Sequence, residues 1–233
     1  RALADASGWR CYPAFMTLRP SDRPLPCFDL GGVIIRICRT WREGAERAGV
    51  PWRDRPAGRD MAHEGALHRG YQSGTIEKAD YYRRLSAHWQ GAYSPDEIDA
   101  IHRAWLLGPY PGVTALLAEI VGPTAILSNT CGLHWDVLFP LPVVQGVAHA
   151  LASHEIGAVK PLPAAFAAVE RATGRRDIVF FDDAQSNIDA ARSFGWQAVL
   201  VDPQVESTAP ALRESLASPV SYTHLTLPTT YTV

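Results

Sequence analysis

Four short runs of unbroken apolarity constrain this chain more than any other feature: "PCFD" ending at Asp29, "TAILSN" ending at Asn129, "IVFFDD" ending at Asp183, and "QAVLV" from Gln197 to Val201. A strand with one wet face alternates apolar and polar residues, whereas an unbroken run requires burial on both faces. Between the runs lie helix-compatible stretches, "VTALLAEI" from Val113, "AAFAAVERATG" from Ala164 and "SNIDAARSFG" from Ser186. The last two close on Gly174 and Gly195, the residue type that best ends a helix. A weaker strand is expected within 147–153, "VAHALAS". Strand and helix in alternation predict an α/β fold, a doubly wound, Rossmann-like parallel sheet whose ligand site lies beyond the carboxyl ends of its strands.

One segment, 39–108, breaks the alternation. It has no buried-strand run but four helix-compatible stretches: "TWREGAERAGV", "DMAHEGALHRGYQSG", "IEKADYYRRLSAHW" and "SPDEIDAIHRAWLL", the last opened by Ser94 followed by Pro95 and Glu97. Inserted after the first strand, a small helical domain here is expected to cover the sheet's carboxyl edge as a cap, with 23–38 and 109–219 forming the α/β core. Residues 1–22 show no sustained period and read as a non-native or disordered leader, with Met16 the expected start. The segment 220–233, "VSYTHLTLPTTYTV", resembles the translation of a sequencing-library adapter and is expected to be an artefactual tail.

Charge narrows the partners. A net charge of -2 and a pI near 6.5 provide no basic field for nucleic acid and no basic amphipathic face for a membrane surface. No run reaches the ~18 apolar residues of a membrane span, so a cytoplasmic protein with a small ligand is expected. Cys11, Cys27, Cys38 and Cys131 form neither a CxxC nor a spaced cluster, which argues against a zinc site or a disulfide framework.

The chemistry gathers at the strand ends. Asp29, Ser128, Asp182 and Asp183 all close an apolar run, and Lys160 stands in "GAVKP" just before a proline that delays the next helix. Taken singly, Asp29 reads as a turn residue, Asp183 as a helix cap, Ser128 as a loop hydroxyl and Lys160 as a solvated surface lysine. Together, three acids, a hydroxyl and an ammonium suit one task, holding Mg2+ through hard oxygens while neutralising a phosphate.

In this order, "FDLGGVII", "ILSNT", "GAVKP" and "FFDDAQSNIDAA" resemble the four motifs of the haloacid dehalogenase (HAD) superfamily, in its branch with a helical cap after the first motif. The resemblance implies a phosphatase of small phosphorylated metabolites that works through an aspartyl-phosphate. Asp29 would be the nucleophile. Ser128, the backbone amide of Asn129 and Lys160 would bind the phosphoryl group. Asp29, the Gly31 carbonyl and Asp183 would bind Mg2+, with Asp182 either assisting the metal or holding Lys160, and Asn187 supporting the acids from behind. The paired acids Asp182 and Asp183 favour a metal, which halide displacement does not need, so a dehalogenase proper is the weaker reading.

Gly31 departs from the pattern, because most phosphatases of the superfamily carry there an Asp that protonates the leaving oxygen. A Gly at this position also occurs in relatives that resemble bacterial sugar phosphatases of the glucose-1-phosphate type, so sugar phosphates are the expected substrates. The segment containing Gly74, Thr75 and Ile76 resembles the cap of those relatives. His63, Glu64, His68 and Tyr71 are the candidates for choosing the substrate from the cap, while His149 and His154, without a partner pattern, read as structural. Two competitors stand beside this reading: a catalytically weak HAD-like module that binds a phosphate ligand or a protein, and a phosphomutase, against which Gly31 counts. Oligomeric state is not legible.

Overall fold

The computed structural model describes residues 23–217; both expected non-native ends, the leader before residue 23 and the tail from Val220, lie outside the described residues. The apolar runs become the strands of one sheet: β1 (Leu25–Phe28), β4 (Ala125–Ser128), β5 (His149–Ala152), β6 (Ile178–Asp182) and β7 (Gln197–Leu200). The order is β5-β4-β1-β6-β7 and every pairing is parallel, with β1 at the centre.

Burial on both faces explains the unbroken apolarity. Along β6, Val179 and Phe181 join a cluster with Phe28, Ile126, Val113 and Leu116 on one side of the sheet. Ile178 and Phe180 join Cys27, Leu127, Phe166 and Val169 on the other. The first face is covered by α5 (Val113–Glu119), α6 (Gly132–Leu138), α7 (Pro142–Gln145) and α11 (Ala209–Ala217); the second by α9 (Pro163–Thr173) and α10 (Gln185–Phe194). Gly174 and Gly195 end α9 and α10 in the left-handed conformation, at φ 66° and 105°. A one-turn helix, α8 (Ser153–Ile156), follows β5.

The insertion is attached by a feature without a sequence signal. Strand β2 (Ile35–Ile37) pairs antiparallel with β3 (Leu106–Pro109), so the two ends of the insertion leave and re-enter the core side by side. Between them come α1 (Trp41–Ala48), α2 (Met61–Gln72), α3 (Lys78–His88) and α4 (Pro95–Arg103). Ser94 and Glu97 form a reciprocal capping box at the start of α4, an arrangement that contributes about 1 kcal/mol. These helices bury a ring-rich core of their own, in which Tyr81 and Trp89 have no exposed surface. Each such side chain contributes roughly 2–3 kcal/mol on leaving water. Cys131, at the start of α6, belongs to that cluster rather than to either sheet face, so the cap and the core share a seam.

That seam is specified at a few atoms. Gly74 has φ +73°, and a Cβ there would lie 2.7 Å from the His154 carbonyl oxygen, so only glycine allows the end of α2 this close to α8. The buried Ser153 hydroxyl lies 2.5 Å from the Gln72 carbonyl in the cap and 3.0 Å from the Thr130 carbonyl in the core, and accepts from the Thr130 amide at 2.9 Å.

Candidate active site

Three strands deliver the reactive groups because a parallel sheet brings all its carboxyl ends to one edge. Asp29 follows central β1, its amide donating to the Phe181 carbonyl at 2.8 Å, while Ser128 ends neighbouring β4 and Asp182 ends β6 on the other side. The two oxygens of Asp29 are unequal. Oδ1 accepts from the Leu30 amide at 2.7 Å and lies 2.9 Å from Lys160 Nζ, whereas Oδ2 has no hydrogen bond from a described residue. The carboxylate is thus fixed by one oxygen and presents the other.

Lys160 is fully buried at its side chain and bridges two acids, with Nζ 2.9 Å from Asp29 and 2.7 Å from Asp182. Its loop is gripped by Asn129: the Asn129 Nδ2 donates to the Lys160 carbonyl at 2.9 Å and its Oδ1 accepts from the Lys160 amide at 2.8 Å. The sequence pointed only to the Asn129 backbone amide. Its side chain has this second task, tying the loop after β4 to the one that carries the lysine.

Asp182 is completely buried and all its lone-pair directions are occupied by protein. Oδ2 takes Lys160; Oδ1 takes the Ala184 amide at 2.8 Å, and Asn187 Nδ2 reaches the two oxygens at 2.9 and 3.1 Å. Of the two tasks considered for Asp182, the contact with Lys160 is made directly, with Asn187 braced behind it, and its oxygens also stand in the cluster with Asp29 and Asp183. Asp183 faces outward instead. Its Oδ2 receives Arg39 Nη1 at 2.9 Å, from the connection between β2 and α1, a partner that no motif marked.

Electrostatics follow from the count. Three carboxylates, Asp29, Asp182 and Asp183, have ligand oxygens within 4.8 Å of one another, against the two cations Lys160 and Arg39. Burial pushes the Asp29 carboxyl up, to about 7, against the pull of the Lys160 ammonium and with the Asp182 charge adding to the rise. Burial presses Lys160 downward, but Asp29 and Asp182 outweigh it and hold the ammonium charged. A hard divalent cation fits this donor set, since it would supply the missing positive charge among the three carboxylates.

The two glycines of the first motif separate clearly. Gly32 has φ +79°, and a Cβ there would lie 2.3 Å from Asp183 Oδ2; its hydrogen stands where a side chain would displace the acid. Gly31 has ordinary backbone geometry, and its Cβ would meet only the tip of Ile37, at 3.1 Å. No acid is therefore excluded from position 31 by the backbone; the residue there simply has no proton to offer.

Beside these groups opens a cavity of about 280 Å³. Its core wall includes Leu30, Gly31, Ser128, Asn129, Thr130 and Cys131, and its cap wall Trp41, His68, Tyr71, Gln72, Tyr81, His102 and Trp105. Of the four cap residues expected to face the substrate, His68 and Tyr71 line it. His63 and Glu64 do not. Glu64 is turned into the cap interior by Arg55 at 3.1 Å, Arg59 at 2.9 Å and the Trp89 indole N–H at 3.0 Å, and His63 is exposed beside the His88 ring. Gln72, His102 and Trp105 were missed, since nothing in a single helix pattern tells which face meets a neighbouring domain.

No protein-family model matches the chain, and no curated protein sequence matches it. Solved structures do. A structure described as a predicted HAD-like family hydrolase from Porphyromonas gingivalis is similar at TM-score 0.67 and 19% identity, over 84% of this chain and 99% of that one. A HAD family enzyme from Bacteroides thetaiotaomicron, solved in complex with magnesium and inorganic phosphate, is similar at TM-score 0.61 and 22% identity, over 78% of this chain and 96% of that one. The L-2-haloacid dehalogenase of Xanthobacter autotrophicus is similar at TM-score 0.54 and 19% identity, over 86% and 85%. The fold of this chain is that of the HAD-like hydrolases.

Proposed function

We infer that this chain, HAD-like by fold and by the order of its four motifs, is a Mg2+-dependent phosphatase of small phosphorylated metabolites, sugar phosphates foremost. The observation that carries the reading is the divided Asp29 carboxylate: one oxygen tied to Leu30 and Lys160, the other without a hydrogen bond from a described residue, beside a cavity whose walls include Leu30, Gly31 and Ser128. That arrangement suits a nucleophile aimed by its own protein.

Mg2+, held by Asp29 and Asp183 with the Gly31 carbonyl, would neutralise phosphoryl charge. The chain's own groups do the rest. Asp29 Oδ2 attacks phosphorus, a P–O bond to aspartate forms and the bond to the leaving oxygen breaks, giving an aspartyl-phosphate. Lys160, Ser128 and the Asn129 amide offset the charge on the transferring oxygens. Water then cleaves the intermediate, releasing inorganic phosphate and restoring Asp29. The leaving oxygen needs a proton that Gly31 cannot give. His63 stands off the cavity, and burial holds His68 below its ordinary value, so it is neutral near pH 7. The enzyme therefore favours leaving groups that depart with little help, such as the anomeric hydroxyl of a sugar 1-phosphate.

The paired acids and the lysine bridging Asp29 and Asp182 favour this reading over a pure binding module, which has no use for an unbonded nucleophilic oxygen. The test is phosphate release from sugar 1-phosphates, sugar 6-phosphates and an aryl phosphate, with Mg2+ and with chelator, in wild type and Asp29→Asn. Release that needs the metal, prefers the 1-phosphates to the 6-phosphates and falls by about 10⁴-fold or more in the variant is expected. Undiminished release from purified Asp29→Asn overturns the reading.

A further inference from the structure

The cavity's composition is as informative as its position. Its cap wall is built of rings, Trp41, Tyr71, Tyr81 and Trp105 among them, and among the described residues its walls include no Asp, Glu, Lys or Arg. The one acid buried among the described cap residues is committed elsewhere: Glu64 pairs with Arg55 and Arg59. Burial holds His68 below its ordinary value and His102 well below it, so both rings are neutral near pH 7. On the core wall, burial presses on Cys131 and His134 alike, yet each draws the other toward an ion pair that has no net charge.

A carboxylate, an ammonium or a second phosphate placed here would lose its hydration and find no uncommitted opposite charge among the described wall residues. An uncharged ring would lay its apolar face on the aromatic walls. A volume of about 280 Å³ is small for a ligand site, near the lower end of the ~300–1,000 Å³ that such pockets span, and has room for a leaving group of about one ring. The ligand is nonetheless not wholly apolar. Gln72 lines the cavity, and its side-chain amide has no partner among the described residues; the Thr130 hydroxyl, in a further wall residue, is buried without a hydrogen bond to a described residue.

We propose that the cap wall admits only an uncharged, hydroxyl-bearing ring as leaving group, and that Gln72 is the side chain that reads its hydroxyl. The inference rests on the phosphatase reading above and narrows its substrates to monophosphates whose single charged group is the one transferred.

The experiment compares glucose 1-phosphate with glucuronate 1-phosphate and glucosamine 1-phosphate, analogues of similar size that add a carboxylate or an ammonium, with an aryl phosphate reporting turnover as such. Wild type is expected to prefer glucose 1-phosphate over both analogues by about a hundredfold in kcat/KM. Gln72→Arg is expected to narrow the gap to glucuronate 1-phosphate about tenfold while leaving glucosamine 1-phosphate disfavoured. Comparable kcat/KM on all three sugars overturns the proposal while leaving the phosphatase reading intact. A gap to glucuronate 1-phosphate that Gln72→Arg and Gln72→Lys, both folded by circular dichroism, leave unmoved overturns the role of Gln72. Should no ester be hydrolysed, the phosphatase reading fails, and calorimetric binding of the same three sugars to wild type decides the charge rule: tenfold tighter glucose 1-phosphate sustains it, equal affinities overturn it.

Discussion

The sheet edge and the cap, on either side of the site, are built on opposite electrostatic plans. At the sheet edge, five charges, from Asp29, Lys160, Asp182, Asp183 and Arg39, crowd together and satisfy one another through short contacts. Across the gap, the cap offers rings and neutral imidazoles and keeps its ion pairs to its own interior. On the proposed phosphatase reading, the difference teaches that the transferred group and the group left behind are handled by different physics. Charge balance tolerates little change, because removing one member leaves the others buried and unpaired. Ring packing tolerates substitution and changes preference instead.

The sharpest way to break this comparison is at its most connected charge. Lys160→Ala leaves Asp29 and Asp182 facing each other without the ammonium, and should lower turnover by roughly 10²–10³-fold. It should also lower stability by about 3 kcal/mol, read from urea denaturation of the full chain. Retention of both would mean that the buried lysine balances nothing.

A smaller effect, on the other side of the gap, tests whether the cap's ion pairs are structural alone. Glu64→Gln should reduce stability by about 2 kcal/mol at neutral pH while kcat/KM on the aryl phosphate stays within a few-fold. The acid limb of the stability curve carries a sign. Burial pushes the Glu64 carboxyl up, but the Trp89 indole and the Arg59 and Arg55 guanidinium groups outweigh it and hold it below the ordinary glutamate value. Its contribution is therefore fully present above that ordinary value and is lost as pH falls through the lower folded one. Wild type should lose more stability than Glu64→Gln across that window; parallel curves would show that the pairing is not what the carboxylate contributes.

The smallest expected effect compares adjacent glycines. Gly32→Ala forces a side chain into left-handed backbone, at a cost of about 1–2 kcal/mol, and pushes Asp183 away, so the concentration of Mg2+ needed for half-maximal activity should rise. Gly31→Ala should cost under ~1 kcal/mol and leave that concentration within about twofold, since only the tip of Ile37 must give. Equal effects at both positions would remove the distinction drawn between them.

Much of the sheet edge was legible because each strand announces itself by unbroken apolarity and ends on the residue it delivers. Asp29, Ser128, Asp182 and Asp183 could be placed together on that ground, Lys160 by the proline after it, and the closing glycines of α9 and α10 are where their helix patterns stop. The attachment of the cap was not legible. The pairing of β2 with β3 joins residues such as Arg36 and Gly108, which are adjacent only after the whole insertion has folded, and two such short strands have no period of their own. Nor could the sequence distinguish Gly31 from Gly32, because the reason for the second lies in Asp183, far along the chain. In the cap, His63 and Glu64 looked as eligible as His68 and Tyr71. What sorted them was the loop before α2, whose Arg55 and Arg59 draw Glu64 inward.

The Ser153 hydroxyl has a consequence for how the lid is held. It lies within donating distance of two carbonyls, Gln72 in the cap and Thr130 in the core, yet an alcohol has one hydrogen. The two acceptors compete for a single proton, so the catch between the domains is shared in time. Were the cap to lift, the hydrogen would turn to the Thr130 carbonyl, and the oxygen would still accept from the Thr130 amide, so no donor would be stranded. Release at this point would therefore cost less than a hydrogen bond, and the carbonyl let go is that of Gln72, whose side chain is proposed to read the leaving group.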